Sequence, residues 1–306
     1  MLSRRLMLTA ISGSAITAAG LSRIEEVPWS KGIESPRTEA PPLATDCHHH
    51  IYDPRFPVLH RAVVRPMPAT VAEYRLLQKR LGTTRNIVVQ PSAYGVDNRC
   101  LLDALHQFGT AETRGVAVVN ERVTDRELKE LHQAGVRGIR FNVVQPAVVT
   151  FEMAEPLARR IAPLGWHIQV YAKSEQIAAA GPVWSGLPCQ VVFDHFGRTV
   201  TKGRKDPAFR VIAELMQRDK AWVKLSGAYL EDEAGAPEYS ATVPVAKAYL
   251  DEAPERCVWG SDWPHPSVKA NPDDAVLFDL LATWVPDTRL RRRVLVENPA
   301  TLYGFA

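Results

Sequence analysis

From Thr45 onward the chain alternates short apolar runs rich in Val and Ile with longer stretches whose apolar residues recur every three or four positions. The short runs are TDCHHHI (45–51), NIVVQPS (86–92), GVAVVN (115–120), GIRFNVV (138–144), HIQVYA (167–172), QVVFDH (190–195), WVKLSG (222–227) and CVWGSD (257–262), which predict eight strands. Their nearly continuous apolar character is that of strands buried on both faces.

Between them lie predicted helices. TVAEYRLLQKRLG (70–82) and DNRCLLDALHQFG (97–109) carry the helical spacing and end at glycine, a frequent helix stop. TDRELKELHQAG (124–135) opens with Thr124 three residues before Glu127, the pattern of a capping box. FEMAEPLARRIAPLG (151–165), DPAFRVIAELMQRD (206–219) and APEYSATVPVAKAYLDEA (236–253) follow, with two closing helices near 273–285 and 287–296.

Strands alternating with helices imply parallel pairing, and eight such units fill the roughly 250 residues of a (β/α)8 TIM barrel. An open doubly wound sheet is the competing arrangement. It would usually carry a Gly-rich phosphate loop after the first strand, and none follows Thr45–Ile51. The expectation is a single-domain α/β barrel over 45–306.

Composition changes little in that picture. The chain of 306 residues is 46% hydrophobic and 23% charged with a net charge of +3, and its basic residues form no stripe. Nucleic acid is therefore not an expected partner. The first twenty residues, MLSRRLMLTAISGSAITAAG, pair Arg4 with Arg5 before a mildly apolar run, which resembles a twin-arginine export signal. Residues 1–25 are read as that signal and 26–44 as a polar leader outside the core. The implied location is periplasmic or exported, with the twin-arginine machinery as a partner. Cys47, Cys100, Cys189 and Cys257 share no short spacing and read as buried free thiols.

Chemistry in such barrels sits at the C-terminal ends of the strands. The first strand ends in His48, His49 and His50. Alternation puts His48 and His50 on one face, with Asp46 one layer deeper on that same face, and His49 on the other. The sixth strand ends in FDHFGR with His195 and Arg198, and the eighth in WGSDWPHP with Asp262 and His265. His49 and His167 read as packing residues and Trp263 as pocket wall. His265 either orients Asp262 or caps a loop.

The stretches DCHHHIYDPRFP, VVFDHFGR, KLSGAY and VWGSDWPHP, in this order, resemble the amidohydrolase superfamily. More narrowly they resemble the branch that holds 2-pyrone-4,6-dicarboxylate lactonase and sugar-acid lactone hydrolases and isomerases. The resemblance covers essentially residues 45–306. It implies hydrolysis of a small-molecule lactone, with Asp262 activating water and His48, His50 and His195 polarising the carbonyl. It also implies a carboxylate-bearing substrate, with Arg140 and Arg198 placed to bind the carboxylate. Ser92, Asn142, Tyr171 and Tyr229 would add polar contacts. The seventh strand departs from the pyrone-dicarboxylate pattern, with Leu230 where arginine is expected, which points to a monoacid or neutral sugar lactone, or to a different aromatic-derived lactone.

Superfamily members usually hold one or two divalent metals, with a ligand from the fifth strand. Here that strand reads WHIQVYAK and ends in Tyr171, with Lys173 in the loop. No metal is expected to be required; a single zinc, if bound, would take His48, His50 and Asp262. Competing readings are a zinc-dependent hydrolase or decarboxylase, a lactone isomerase, and an exported binding protein on an inactive barrel.

Overall fold

The computed structural model describes residues 26–59, 62, 68–144, 148–268 and 271–306. The export signal expected over 1–25 lies outside the described residues. Eight strands form one parallel sheet in sequential order: β1 (Thr45–His49), β2 (Arg85–Val89), β3 (Thr113–Ala117), β4 (Val136–Asn142), β5 (His167–Tyr171), β6 (Val191–Phe193), β7 (Ala221–Leu225) and β8 (Cys257–Trp259). β8 returns to β1 through two backbone bonds, Asp262 N to His48 O and His50 N to Trp263 O, both 2.8 Å. Gly260 permits that approach, since a Cβ there would lie 2.6 Å from His48 Cβ. The result is a (β/α)8 TIM barrel, as expected.

The helices are α1 (Val71–Leu81), α2 (Arg99–Phe108), α3 (Asp125–Gln133), α4 (Ala154–Ile161), α5 (Ser174–Ala179), α6 (Gly181–Gly186), α7 (Pro207–Gln217), α8 (Thr242–Glu252), α9 (Asp274–Trp284), α10 (Thr288–Arg292) and α11 (Asn298–Tyr303). Thr124 and Glu127 form the expected capping box, and Thr70 with Glu73 forms a second. Gly82, at φ 77°, ends α1 in the left-handed region where glycine carries no Cβ penalty. The crossover from β5 to β6 is two six-residue helices, α5 and α6, too short to leave a helical period in the sequence.

The segment 26–44, read as a leader outside the core, lies against the barrel. Val27 and Ala44 are buried, Trp263 Nε1 donates to Pro28 O at 2.8 Å, and Arg80 Nε donates to Glu34 O at 2.8 Å. Single apolar residues among polar ones carry no period, so sequence pattern alone gave no hint of this packing. Among the described residues no helix is long and apolar enough to cross a membrane. The four cysteines are free and buried.

The barrel interior is layered. Cys47, Ile87, Val89, Val116, Val192, Trp222 and Val258 form an apolar floor, closed by Leu302, Tyr303 and Phe305 from the C-terminal end of the chain. Above it the interior turns polar. Gln169, Lys224 and Asp194 are all buried and joined in one network: Lys224 Nζ donates to Gln169 Oε1 at 2.7 Å, and Gln169 Nε2 to Asp194 Oδ2 at 3.1 Å.

Candidate active site

The histidine run folds differently from simple alternation. β1 pairs with β2 in register at Asp46 and again at His49, but three steps on β1 match two on β2, the mark of a bulge between them. Cys47 therefore points into the apolar floor and His48 also points inward. Asp46 and His49 share the outer face, where both meet Tyr74 of α1: Tyr74 Oη donates to Asp46 Oδ2 at 2.9 Å, and the His49 ring stacks on Tyr74 at 3.5 Å. The expectation that Asp46 sits beneath His48 on one face is corrected by this bulge. Asp46 instead ties β1 to β8, accepting from Ser261 N at 3.0 Å and Ser261 Oγ at 2.6 Å. Burial pushes its carboxyl up to about 6 despite these bonds.

His48 and His50 do meet, with Nε2 to Nε2 at 3.3 Å. His195 and Asp262 lie just past the ends of β6 and β8, and the chain is strained at both. φ is 50° at His195, 54° at Phe196, 60° at Gly197, 57° at Arg198 and 64° at Asp262. Left-handed non-glycine residues cost on the order of 1–2 kcal/mol each, and such strain gathers at functional sites. These turns bring Asp262 Oδ1 to 3.5 Å from His48 Nε2 and 3.6 Å from His50 Nε2, and Oδ2 to 3.7 Å from His195 Nε2. The three histidines and the aspartate predicted from sequence thus form one cluster, all of it buried.

Hydrogen bonds set the protons of this cluster. His50 Nδ1 lies 2.8 Å from Val89 O, an acceptor only, so Nδ1 carries the proton and Nε2 a lone pair. Lys224 Nζ lies in bonding geometry 3.3 Å from His48 Nδ1, whereas Asp194 Oδ1, at 3.2 Å, has no hydrogen-bond partner. Lys224 therefore donates to Nδ1 and leaves the His48 proton on Nε2, facing His50. The Ser226 hydroxyl, 2.8 Å from His195 Nδ1, can donate or accept, and it is the Asp262 carboxylate, an acceptor only with Oδ2 3.7 Å from Nε2, that draws the His195 proton to Nε2. Two N–H donors, from His48 and His195, flank Asp262.

Burial lowers the His48 and His195 rings below the ordinary histidine range, with Asp194 and Asp262 pulling the other way, so both rest neutral. Burial would raise Asp262, but the Nε2–H groups of His195 and His48 are turned toward it and hold the carboxyl well below its usual range. Asp194 is likewise ionised: the Lys224 and Arg140 cations beside it outweigh its burial. Burial lowers Lys224, and Asp194 opposes that shift.

Tyr229 Oη donates to Asp262 Oδ2 at 2.6 Å and lies 3.0 Å from His265 Nδ1, whose Nε2 meets Asp274 Oδ2 at 3.1 Å. His265 thus acts on Asp262 through Tyr229. Tyr171 sets its ring edge-to-face on His195 at 5.2 Å and accepts from Arg198 Nη1 at 2.9 Å. Arg140 Nε lies 3.4 Å from Asp194 Oδ2. Asn142 Nδ2 donates to Ser92 Oγ at 2.8 Å at the mouth. His167, as expected, is packing, buried beside Tyr303. Lys224, Asp194 and Gln169 escaped the sequence reading. The available signal was a charged or amide side chain inside a strand buried on both faces.

His48, His50 and Asp262 form one group able to hold a metal, and His48, Asp194 and His195 a second. Tetrahedral zinc with nitrogen ligands at about 2.0–2.1 Å spaces them roughly 3.3 Å apart, close to the spacing of the first group. The donors therefore fit one divalent ion. Binding would first require the His48 proton to leave Nε2, against the Lys224 hydrogen bond.

The amidohydrolase family model matches residues 45–305. The chain belongs to the amidohydrolase family. Among its relatives, 2-pyrone-4,6-dicarboxylate hydrolase of Comamonas testosteroni is 36% identical, covering 92% of this chain and 98% of that one. A 4-sulfomuconolactone hydrolase of Rhizobium radiobacter is 32% identical, covering 89% and 95%. A crystal structure from Agrobacterium tumefaciens superposes with a TM-score of 0.83 at 28% identity, covering 91% of this chain and 99% of that one.

Proposed function

We propose that this amidohydrolase hydrolyses the ester bond of a carboxylate-bearing or sugar-acid lactone. The observation that carries the reading is an ionised buried carboxylate, Asp262, flanked by two neutral imidazole N–H donors. The names of the two relatives support the substrate class.

A lactone carbonyl seated between His48 and His195 would receive their Nε2 protons as hydrogen bonds. Asp262 Oδ1, free of the Tyr229 bond, takes a proton from water as the water oxygen bonds to the carbonyl carbon. The carbonyl oxygen becomes an oxyanion held by the two imidazoles; each such donor is typically worth about 3 kcal/mol in the transition state. Collapse breaks the ring C–O bond, and the leaving oxygen takes the proton back from Asp262. The product is an open-chain acid that releases a proton to solvent. His50, with its lone pair on Nε2, orients His48 rather than donating to the carbonyl.

This route has no required metal. A divalent metal bound by His48, His50 and Asp262 would act as a Lewis acid on the same carbonyl. The reading also includes export of the protein, supported by Arg4 and Arg5 in the SRRLML stretch. Cell fractionation with both arginines changed to lysine tests that part, and the protein is expected to stay in the cytoplasm.

Turnover in 18O-labelled water tests the chemistry. One label in the newly formed carboxylate is expected. An isomerised lactone without label would assign the attack to a substrate hydroxyl and overturn the hydrolase reading.

A further inference from the structure

The cations around the site are unequally committed. Arg198 lies one ring away from His195, its Nη1 bonded to Tyr171 Oη at 2.9 Å. Its Nε faces Glu231 Oε1 at 3.6 Å. Glu231 follows the Tyr229 turn and is held there by Val200 N, 3.4 Å from Oε2. A guanidinium grips a carboxylate with two parallel N–H groups along one edge. Each edge of the Arg198 fork already has one nitrogen engaged, by Tyr171 or by Glu231.

Arg140 is different. It lies against the same Tyr171 ring, 5.8 Å from the centroid, and only its Nε is engaged, with Asp194. Its two Nη atoms have no hydrogen-bond partner among the described residues and are not among the buried unsatisfied atoms, so one whole edge stays open. Asp194 is moreover shared between Arg140 and Lys224, at 3.4 and 3.5 Å. Apart from the base Asp262, three cations (Arg140, Lys224, Arg198) face two carboxylates (Asp194, Glu231). With Asp262 also ionised the charges balance three to three, so what sets Arg140 apart is its open edge rather than a surplus of charge.

We propose that the substrate carries a single carboxylate, bound by the open edge of Arg140, and that Glu231 selects against a second by occupying Arg198. This rests on the lactone hydrolase reading and narrows it. A second carboxylate brought to Arg198 would displace the Glu231 pair and stand beside the Glu231 charge in a half-buried pocket, where like charges repel strongly.

The test uses two pairs of lactones that differ only in a second acid group: 2-pyrone-6-carboxylate against 2-pyrone-4,6-dicarboxylate, and muconolactone against its 4-sulfo derivative. The full-length protein is expected to favour the monoacid of each pair in kcat/KM by tenfold or more. Glu231→Gln is expected to move that ratio toward the diacid by at least tenfold, mainly through KM. Arg140→Ala is expected to raise the monoacid KM at least tenfold more than Arg198→Ala does, which keeps the test independent of how well the Glu231 variant folds. A wild-type preference for the diacids, or a ratio indifferent to Glu231→Gln, overturns the proposal while leaving lactone hydrolysis intact. If none of the four is hydrolysed and a panel of sugar-acid lactones is not either, the function reading fails. Calorimetric binding of the same compounds then still tests the preference, and tighter binding of the diacids overturns it.

Discussion

Lys224 Nζ donates to His48 Nδ1 across 3.3 Å, and that bond leaves the His48 Nε2 proton facing the site. A lysine ammonium buried at the centre of a barrel is costly unless paired and fully hydrogen-bonded. Here it donates to Gln169 and His48 and pairs with the Asp194 carboxylate at 3.5 Å. Lys224→Met should lower kcat by at least about 100-fold, as expected for loss of one oxyanion donor. It should also destabilise the fold by about 3 kcal/mol, because Asp194 loses a buried counter-charge. Denaturant melts of the double variant Lys224→Met/Asp194→Asn check the cause: much of the lost stability should return, but none of the activity.

Asp262→Asn removes the base and keeps the shape. The rate should drop about 1,000-fold or more, within the range attributed to a positioned general base, while the protein stays folded with a somewhat lower thermal midpoint, because a carboxyl held below its usual range stabilises the fold. Steady-state kinetics alongside calorimetric melting decide this. Activity within tenfold of wild type would remove Asp262 from the mechanism.

Tyr229 holds one oxygen of that carboxylate at 2.6 Å and is held in turn by His265. Loss of one hydrogen bond to a charged group is worth about 1.5–3 kcal/mol, so Tyr229→Phe should cut kcat tenfold or more. KM should move little, since the bond orients the base rather than the substrate. A change confined to KM would instead make Tyr229 a substrate contact.

Away from the site, both ring nitrogens of His167 are buried without a hydrogen-bond partner. Burial lowers this histidine to about 3. Below the ordinary histidine range the unfolded chain takes up a proton that the folded chain refuses, so stability falls as pH falls from about 6.5 toward 3. Between pH 7 and pH 5 this one group accounts for about 2 kcal/mol of that loss. His167→Leu should therefore gain stability relative to wild type as the pH drops, by roughly that amount. Unfolding titrations at the two pH values measure it; an equal difference at both would mean that His167 takes up its proton as readily in the fold as in the unfolded chain.

The barrel was legible in the sequence because each strand is buried on both faces and most of the helices have clear periods and stops. The strand ends were read too long. His195 and Asp262 leave the ladder in left-handed turns, which a run of apolar residues cannot announce. His48, His50, His195 and Asp262 could be named because they cluster at strand ends. Their proton assignments depend on Lys224, Val89 and, for His195, Asp262, far away in sequence. The bulge in β1 was invisible as well, and it moved Asp46 from beneath the histidines to the outer face.

The most direct measurement is proton release by chelator-treated protein on a panel of five- and six-membered lactones, compared with untreated protein. The account predicts steady acid production at equal rates in both, abolished by Asp262→Asn. Release that disappears on chelation and returns with zinc would contradict the metal-independent route, and no release from any lactone would contradict hydrolysis itself.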